Sequence, residues 1–334
     1  MPAFSRAPAH LAATTRIASL SAHLSSMQQP SRAAATAAAP SSASSSSSSK
    51  DQLPPISFDK SPIPPNPLGS RFVRTAGFIC IGDEILSSKT RDTNSHYFSK
   101  FCFTLGIELK RIEVIADDTD EIVEAVRRMA DNYDWVVTSG GIGPTHDDIT
   151  YESIAKAFDA EPLVYHDETL RRMTELNKRR TDLPPQTEEM MTARKRMALF
   201  PSKNAEVIFP TANLWVPVVR MAGKVCILPG IPRLFEALLD GFTPYIPIDK
   251  DAPRPYRVLV RTLQPESSIA PFLTKLVERV KAEGIKIGSY PKIFPSSVEV
   301  SLIGTNLDAL KKYADEVAKE VEGEVVASGK LGDE

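Results

Sequence analysis

Six consecutive residues, Gly140-Gly141-Ile142-Gly143-Pro144-Thr145, follow directly on the short apolar stretch Trp135-Val136-Val137-Thr138-Ser139. Glycines placed after a strand let backbone N–H groups come close to a phosphate, because a positive φ costs them nothing. Successive N–H groups in such a loop can form an anion nest. A helix N-terminus expected near Thr150 adds a favourable dipole. The alternative for this loop is a tight strand-to-helix turn with no ligand. His146-Asp147-Asp148 comes next. Carboxylates repel bare phosphate, so this pair makes sense if it holds Mg²⁺ or another hard cation that bridges to phosphate oxygens. It makes sense equally if it binds ring or ribose hydroxyls. Asp148 can instead cap the following helix. His146 is a candidate acid, base or ligand, or an ordinary loop residue.

Two other loops offer acidic groups. Gly82-Asp83-Glu84-Ile85-Leu86 and Arg91-Asp92-Thr93-Asn94 form one, and Asp117-Asp118 the other. Solvation explains any one pair of carboxylates. Three loops gathered at one edge would imply a cation or a positively charged ligand, since uncompensated convergence is costly.

Whether they gather depends on the elements between them. Residues 72–81 read as a buried strand, 94–105 as a helix capped by Thr93 or Asn94, and 107–115 as an alternating strand. Residues 120–132 read as a helix capped by Thr119, with Ile122, Val123, Val126 and Met129 at helical spacing. Residues 135–138 read as a strand and 150–158 as a helix. This β–α–β–α–β–loop–α order predicts an α/β fold with a parallel sheet between helical layers. Ligands of such sheets sit beyond the carboxyl ends of the strands, which places the three loops together. Residues 166–200 read as a helical, polar, methionine-bearing arm packed on the sheet edge or on a second subunit. Residues 212–219 and 224–228 read as paired strands with a turn at Ala222-Gly223, followed by a helix over 233–239. From Pro255 a second unit reads strand 256–263, helix 266–283, strand 285–289, strand 297–303, helix 307–321 and strand 324–327. That βαββαβ order is the split ferredoxin-like arrangement. Ser289-Tyr290-Pro291, expected just after a strand, can reach a ligand across the domain junction or form a simple turn.

The whole chain narrows the possibilities further. Its 334 residues are 42% hydrophobic and 25% charged, with a net charge of -2. A packed core is expected, and no basic footprint for nucleic acid is present. No apolar run reaches the ~18 residues of a membrane span. Cys80, Cys102 and Cys226 are too scattered for a disulfide framework or a metal site. Cys80 and Cys226 lie in apolar runs and read as buried strand residues. Residues 1–50 contain no Asp or Glu but carry Arg6, Arg16, Arg32 and Lys50 amid Ser and Ala. That is the composition of an organelle transit peptide, or of a plain disordered tail. The expectation is therefore a segment 1–70 outside the fold, then domains over 71–250 and 251–334. The protein would be mitochondrial, or cytoplasmic if translation starts at Met27.

The motifs GDEIL, DTN, Asp117-Asp118, TSGGIGPTHDDIT, PGIP and GSYP occur in an order that resembles the CinA-like branch of the molybdopterin-binding (MoaB/Mog) superfamily. The resemblance covers residues 72–330. It extends to the amino-terminal half of CinA proteins and the molybdopterin-binding-like domain of eukaryotic FAD synthases. It implies a three-layer MoaB/Mog-like domain, a homo-oligomer, and a metal-dependent pyrophosphatase that releases AMP from FAD or ADP-ribose. The cofactor would be Mg²⁺, Mn²⁺ or Co²⁺, with K⁺. By motif, Asp83, Glu84 and Asp147 would hold metal, while Asp117, Asp147 and Asp148 would be catalytic. Gly140, Gly141, Gly143, Thr145, Asp92, Asn94, Ser289 and Tyr290 would meet a nucleotide or pterin ligand. The other implied roles are pterin binding or adenylyl transfer in molybdenum-cofactor synthesis, and a non-catalytic nucleotide-binding module. The sequence ends at Glu334, without the amidohydrolase-type domain of bacterial CinA or the reductase-like domain of FAD synthases, so FAD synthesis is not expected. The unit from Pro255 to Val326 sets the chain apart from single-domain molybdopterin adenylyltransferases.

Overall fold

The computed structural model describes residues 56–179, 186–293 and 296–329. The transit-peptide reading and the Met27 start lie outside them. The central sheet has six strands: β1 (Thr75–Ile81), β2 (Glu108–Ile115), β3 (Trp135–Ser139), β6 (Ala205–Ile208), β7 (Val218–Met221) and β8 (Val225–Leu228). Their spatial order is β2-β1-β3-β8-β7-β6. The first four are parallel, whereas β7 and β6 run antiparallel at one edge.

The alternation of β1 explains the layering. Ala76, Phe78 and Cys80 point to one core, Ile79 and Ile81 to the other, as a period of two requires. On the first face lie α2 (Asn94–Leu105) and α7 (Pro232–Phe242), with Phe98 stacked on Phe78 and Phe235 edge-on to it. On the second lie α3 (Thr119–Asn132) and α4 (Thr150–Ala157), bringing Ile122, Val126, Met129 and Ile154. The helical spacing of the α3 residues is thus used as the sequence implied. The turn at Ala222 (φ 48°) and Gly223 (φ 72°) joins β7 to β8. Positive φ at both residues matches the twist of a two-residue hairpin.

The arm leaves the sheet through a small ladder of β4 (Leu163–Tyr165) with β5 (Leu199–Pro201). It carries α5 (Asp167–Lys178) and α6 (Glu188–Arg196). Met173 is buried there, and Met190 and Met191 are exposed.

The carboxyl-terminal unit contains β9 (Tyr256–Thr262), α8 (Glu266–Val280), β10 (Lys286–Lys292), β11 (Ser297–Gly304), α9 (Leu307–Glu320) and β12 (Glu324–Gly329). Its strands pair antiparallel in the order β10-β11-β9-β12, which is the ferredoxin-like order. Val258, Val260, Val300 and Leu302 pack under Leu276, Leu310 and Val317.

Several expectations need correction. Residues 56–70 do not lie outside the fold. Phe58 is buried, its N–H donates to Ala212 O (2.7 Å), and Ser61 N–H donates to Phe209 O (3.0 Å). Phe58 and Leu68 anchor this segment, without any periodic pattern to announce it. Strand β7 starts at Val218 rather than 212. The helix expected over 266–283 ends at Val280 and tightens into a 3-10 turn over 281–283 closed by Gly284 at φ 70°. Strand β10 runs through to Lys292, so Ser289, Tyr290 and Pro291 lie within the strand.

Candidate active site

The carboxyl ends of β1, β2 and β3 bring three loops to one edge. Residues Asp83–Leu86 form a single helical turn, α1. Gly82 N–H donates to Ile115 O at 3.1 Å, and Asp83 N–H donates to the Asp117 carboxylate at 2.9 Å. The loops after β1 and β2 are therefore tied together directly.

The glycine loop after β3 is held at close quarters. Gly140 has φ +116°, and a Cβ on it would fall 2.0 Å from Ile81 O. Gly141 has φ +63°, and a Cβ there would fall 2.2 Å from Thr150 Oγ1. Thr150 returns two bonds to the loop, from its N–H to Gly141 O (3.0 Å) and from its hydroxyl to Gly140 O (3.0 Å).

Asp148 lies inside this loop. Its carboxylate accepts from Gly143 N–H (2.6 Å), Thr145 N–H (2.9 Å) and the Thr145 hydroxyl. It does not cap α4, where Ile149 takes the N-cap position with no side-chain bond. Gly140 N–H donates to Leu228 O at 3.2 Å. The phosphate contacts expected from the N–H groups of Gly140, Gly143 and Thr145 are thus already used internally. Gly141 and Ile142 keep N–H groups that no acceptor among the described residues takes up. The nest is narrower than the motif implied.

The remaining carboxylates differ in character. Asp147 is exposed, with the Thr145 hydroxyl and its own N–H holding its pKa below the ordinary aspartate value. His146 is almost fully exposed, its Nδ1 4.0 Å from Asp147 Oδ1. Burial raises the pKa of Asp117; the Asp83 N–H opposes this, and the charges of Asp83, Glu84 and Asp147 add to it. Burial also pushes the Cys80 thiol up to about 12, helped by Asp92, Glu84 and Asp117. Burial leads the Asp117 and Cys80 shifts, and the neighbouring carboxylates add to both. Among the described residues, however, no three His, Cys, Asp or Glu side chains converge tightly enough to hold a metal ion. Asp83, Glu84 and Asp147 are neighbours rather than a cage. Such hard oxygen donors fit a divalent cation only when ligand oxygens complete its shell, which is how Mg²⁺ is commonly held between carboxylate and phosphate.

Two helix caps also depart from expectation. Thr93 holds the N-cap position of α2 with no side-chain bond, and the Asp92 carboxylate instead accepts from the Ser95 N–H (3.0 Å) and the Ser95 hydroxyl. Asp118, not Thr119, accepts from Asp120 N–H (2.9 Å) and Glu121 N–H (3.0 Å). Asp118 is therefore a structural carboxylate. Asn94 is buried at the start of α2. Ser289 bonds to Glu266 at 2.5 Å, and Tyr290 is exposed on β10. Neither lines the cleft described next, so the structure does not bring these two to the other candidates.

A cleft of about 410 Å³ opens over the glycine loop. Glu84, Thr90 and Gly140 to Gly143 form its polar side, and Tyr151, Met197, Trp215, Ile231 and Leu234 its apolar wall. The size suits a nucleotide-sized ligand, and the wall suits a flat ring. Trp215, Met197 and Ile231 were missed by sequence reasoning. Only the PGIP motif, which contains Ile231, signalled any of them. Arg196, also missed, ends α6 and donates to Thr145 O at 3.1 Å, with Glu152 at 3.7 Å.

Comparison with known proteins agrees with this architecture. Residues 77–247 match the family model "Probable molybdopterin binding domain", and residues 256–330 match "FAD synthase, middle domain". A "Probable FAD synthase" of Caenorhabditis elegans is 34% identical over 233 residues, covering 66% of this chain and 44% of that protein. The corresponding protein of Caenorhabditis briggsae is covered over 45%, so the chain spans less than half the length of these relatives. Protein Ta0487 of Thermoplasma acidophilum is 31% identical over 266 residues, covering 78% of this chain and 99% of that one. A crystal structure of the protein CinA with unknown function from the same organism is 33% identical, with a TM-score of 0.44, over 51% of this chain and 96% of that one. With its glycine-loop domain matched across just over half of its length, the chain belongs to the molybdopterin-binding (MoaB/Mog-like) domain family and carries the FAD synthase-type middle domain behind it.

Proposed function

We propose that this protein hydrolyses the pyrophosphate of a dinucleotide such as FAD or ADP-ribose and releases AMP. The supporting observation is the pairing of two unengaged N–H groups, at Gly141 and Ile142, with a rim of carboxylates. A site that only bound an anion would have no use for that rim.

In this reading the diphosphate lies over the two N–H groups, and the attached ring lies against Trp215 and Met197. Asp117 takes a proton from a water molecule whose oxygen attacks one phosphorus. The bond from that phosphorus to the bridging oxygen breaks. FAD then gives AMP and FMN, and ADP-ribose gives AMP and ribose 5-phosphate. Asp117 suits the base because burial and three neighbouring charges raise its proton affinity, and a base works best with a pKa near the working pH. Asp147, whose pKa is lowered, stays charged and suits a cation ligand together with Asp83 and Glu84. A bound Mg²⁺, Mn²⁺ or Co²⁺, assisted by K⁺, would supply neutralisation of the phosphate oxygens.

The test is AMP release from FAD and ADP-ribose by the full chain, with each metal and with K⁺. Asp117→Asn should lower turnover by ~10²-fold or more. Unchanged turnover in that variant would remove Asp117 from the mechanism. Absence of AMP under every metal would favour the second reading, a pterin-binding protein, which the family model's description and the apolar wall support.

A further inference from the structure

Tyr151 stands in the first turn of α4 and is 5% exposed. Its ring lies edge-on to Phe200, centre to centre 5.0 Å, and borders the large cleft. No described residue takes up its hydroxyl. The oxygen is not one of the unpartnered polar atoms sealed from solvent, so it keeps open surface. A buried tyrosine usually finds a partner for its O–H, and a bond left unmade costs free energy. Neighbouring hydroxyls are spent otherwise, Thr145 on Asp148 and Thr150 on Gly140 O.

The surroundings define the missing partner. Burial, with the Glu152 charge adding to it, raises the proton affinity of the phenol, so the group is a neutral O–H donor. Met197, Trp215, Ile231 and Leu234 line the same cleft. Phosphate beside them would give up its hydration to apolar side chains, and the free N–H groups of Gly141 and Ile142 offer it a better place. A neutral donor on an apolar wall suits the edge of a flat heterocycle, where a ring nitrogen or carbonyl accepts in the plane of the ring.

We propose that Tyr151 is a specificity-determining residue, its hydroxyl donating a hydrogen bond to a ring nitrogen or ring carbonyl of the ligand. This contact rests on the reading that the cleft binds a nucleotide. It adds that the heterocycle is recognised by a polar contact as well as by the apolar wall.

Tyr151→Phe tests this, because it removes the oxygen and keeps the ring against Phe200. Binding to the full chain is measured by calorimetry without turnover. AMP and FMN are the ring-bearing probes, and they separate a purine nitrogen from a flavin carbonyl. Ribose 5-phosphate, followed as their competitor, is the ring-free probe. AMP or FMN should bind about tenfold more weakly to the variant, while ribose 5-phosphate keeps its affinity. The variant should also melt no lower than the parent, since the lost hydroxyl has no partner in the free protein. A lower melting temperature would reveal an internal partner and overturn the contact. An equal loss for ribose 5-phosphate would move the bond to sugar or phosphate, and unchanged affinity for both AMP and FMN would remove it; either result overturns the assignment. Failure of hydrolysis alone would leave these binding ratios standing, whereas failure of AMP and FMN to bind the unaltered protein would overturn the nucleotide reading and the contact with it.

Discussion

At the scale of residues, adjacent aspartates have opposite roles. Asp148 spends its carboxylate on three donors of its own loop. Asp148→Ala should lower stability by about 1–2 kcal/mol, the order of a few partly exposed hydrogen bonds, and a thermal melt measures it. Ligand affinity should fall as well, because the loop loses its brace. A variant with unchanged melting and affinity would mean the brace has no weight. Asp117 behaves in the other direction. Its folded pKa lies above the ordinary aspartate value, so the folded state holds the proton more tightly than the unfolded chain. That stabilisation is present below the unfolded pKa and is lost as pH rises through the raised one. Above this window Asp117→Asn should melt higher than the parent protein in metal-free buffer, and the gap should close at lower pH. A melting curve indifferent to the substitution at every pH would show that the acidic edge carries no strain. The sequence identified the edge and its carboxylates. It could not divide them into braces, caps and free groups, because that depends on which N–H lies within reach: Asp148 to Gly143, Asp118 to Asp120, Asp92 to Ser95.

At the scale of elements, the strongly patterned pieces were legible. Helix α3 has apolar residues at every turn, and β1 alternates between two cores, so period alone places both. Strands of three or four residues, such as β4, β5 and β6, show no period and exist only because tertiary contacts pair them. The arm was recognised as helical, but its connection to the site was not visible. Arg196 reaches 51 positions back along the sequence to Thr145, and no local pattern encodes such a contact. This contact makes the arm a support for the glycine loop, with Met197 beside it forming part of the cleft wall. Arg196→Ala should raise KM several-fold with a smaller change in kcat, since the loop loses a rear anchor while Asp117 is untouched. Arg196→Lys should recover only part of the loss, because an ammonium is a point donor and does not reproduce the planar fork. An unaltered KM in Arg196→Ala would separate the arm from the site.

At the scale of the whole molecule, the strap at residues 56–66 links the chain's amino-terminal side to the arm. Arg172 of α5 is 3% exposed. Its guanidinium lies 3.7 Å from the Phe209 ring centre and 4.8 Å from that of Phe58. It donates to Glu168 (2.6 Å) and to Asp59 O (2.6 Å). The Tyr245 hydroxyl donates to Ser61 O from the other side of the strap. Removing Phe58 would open the arginine to water on one face and leave its stacking on Phe209 alone. Phe58→Ala should therefore cost about 3 kcal/mol, the low end for a large buried aromatic because the site lies at the rim of the core. The loss should be felt first in α5 and then through the arm at Thr145, so KM should rise along with the fall in melting temperature. Hydrogen exchange should show the arm opening before the central sheet does. Uniform loss of protection across the arm and β1 would instead mean that the strap contributes only to global stability.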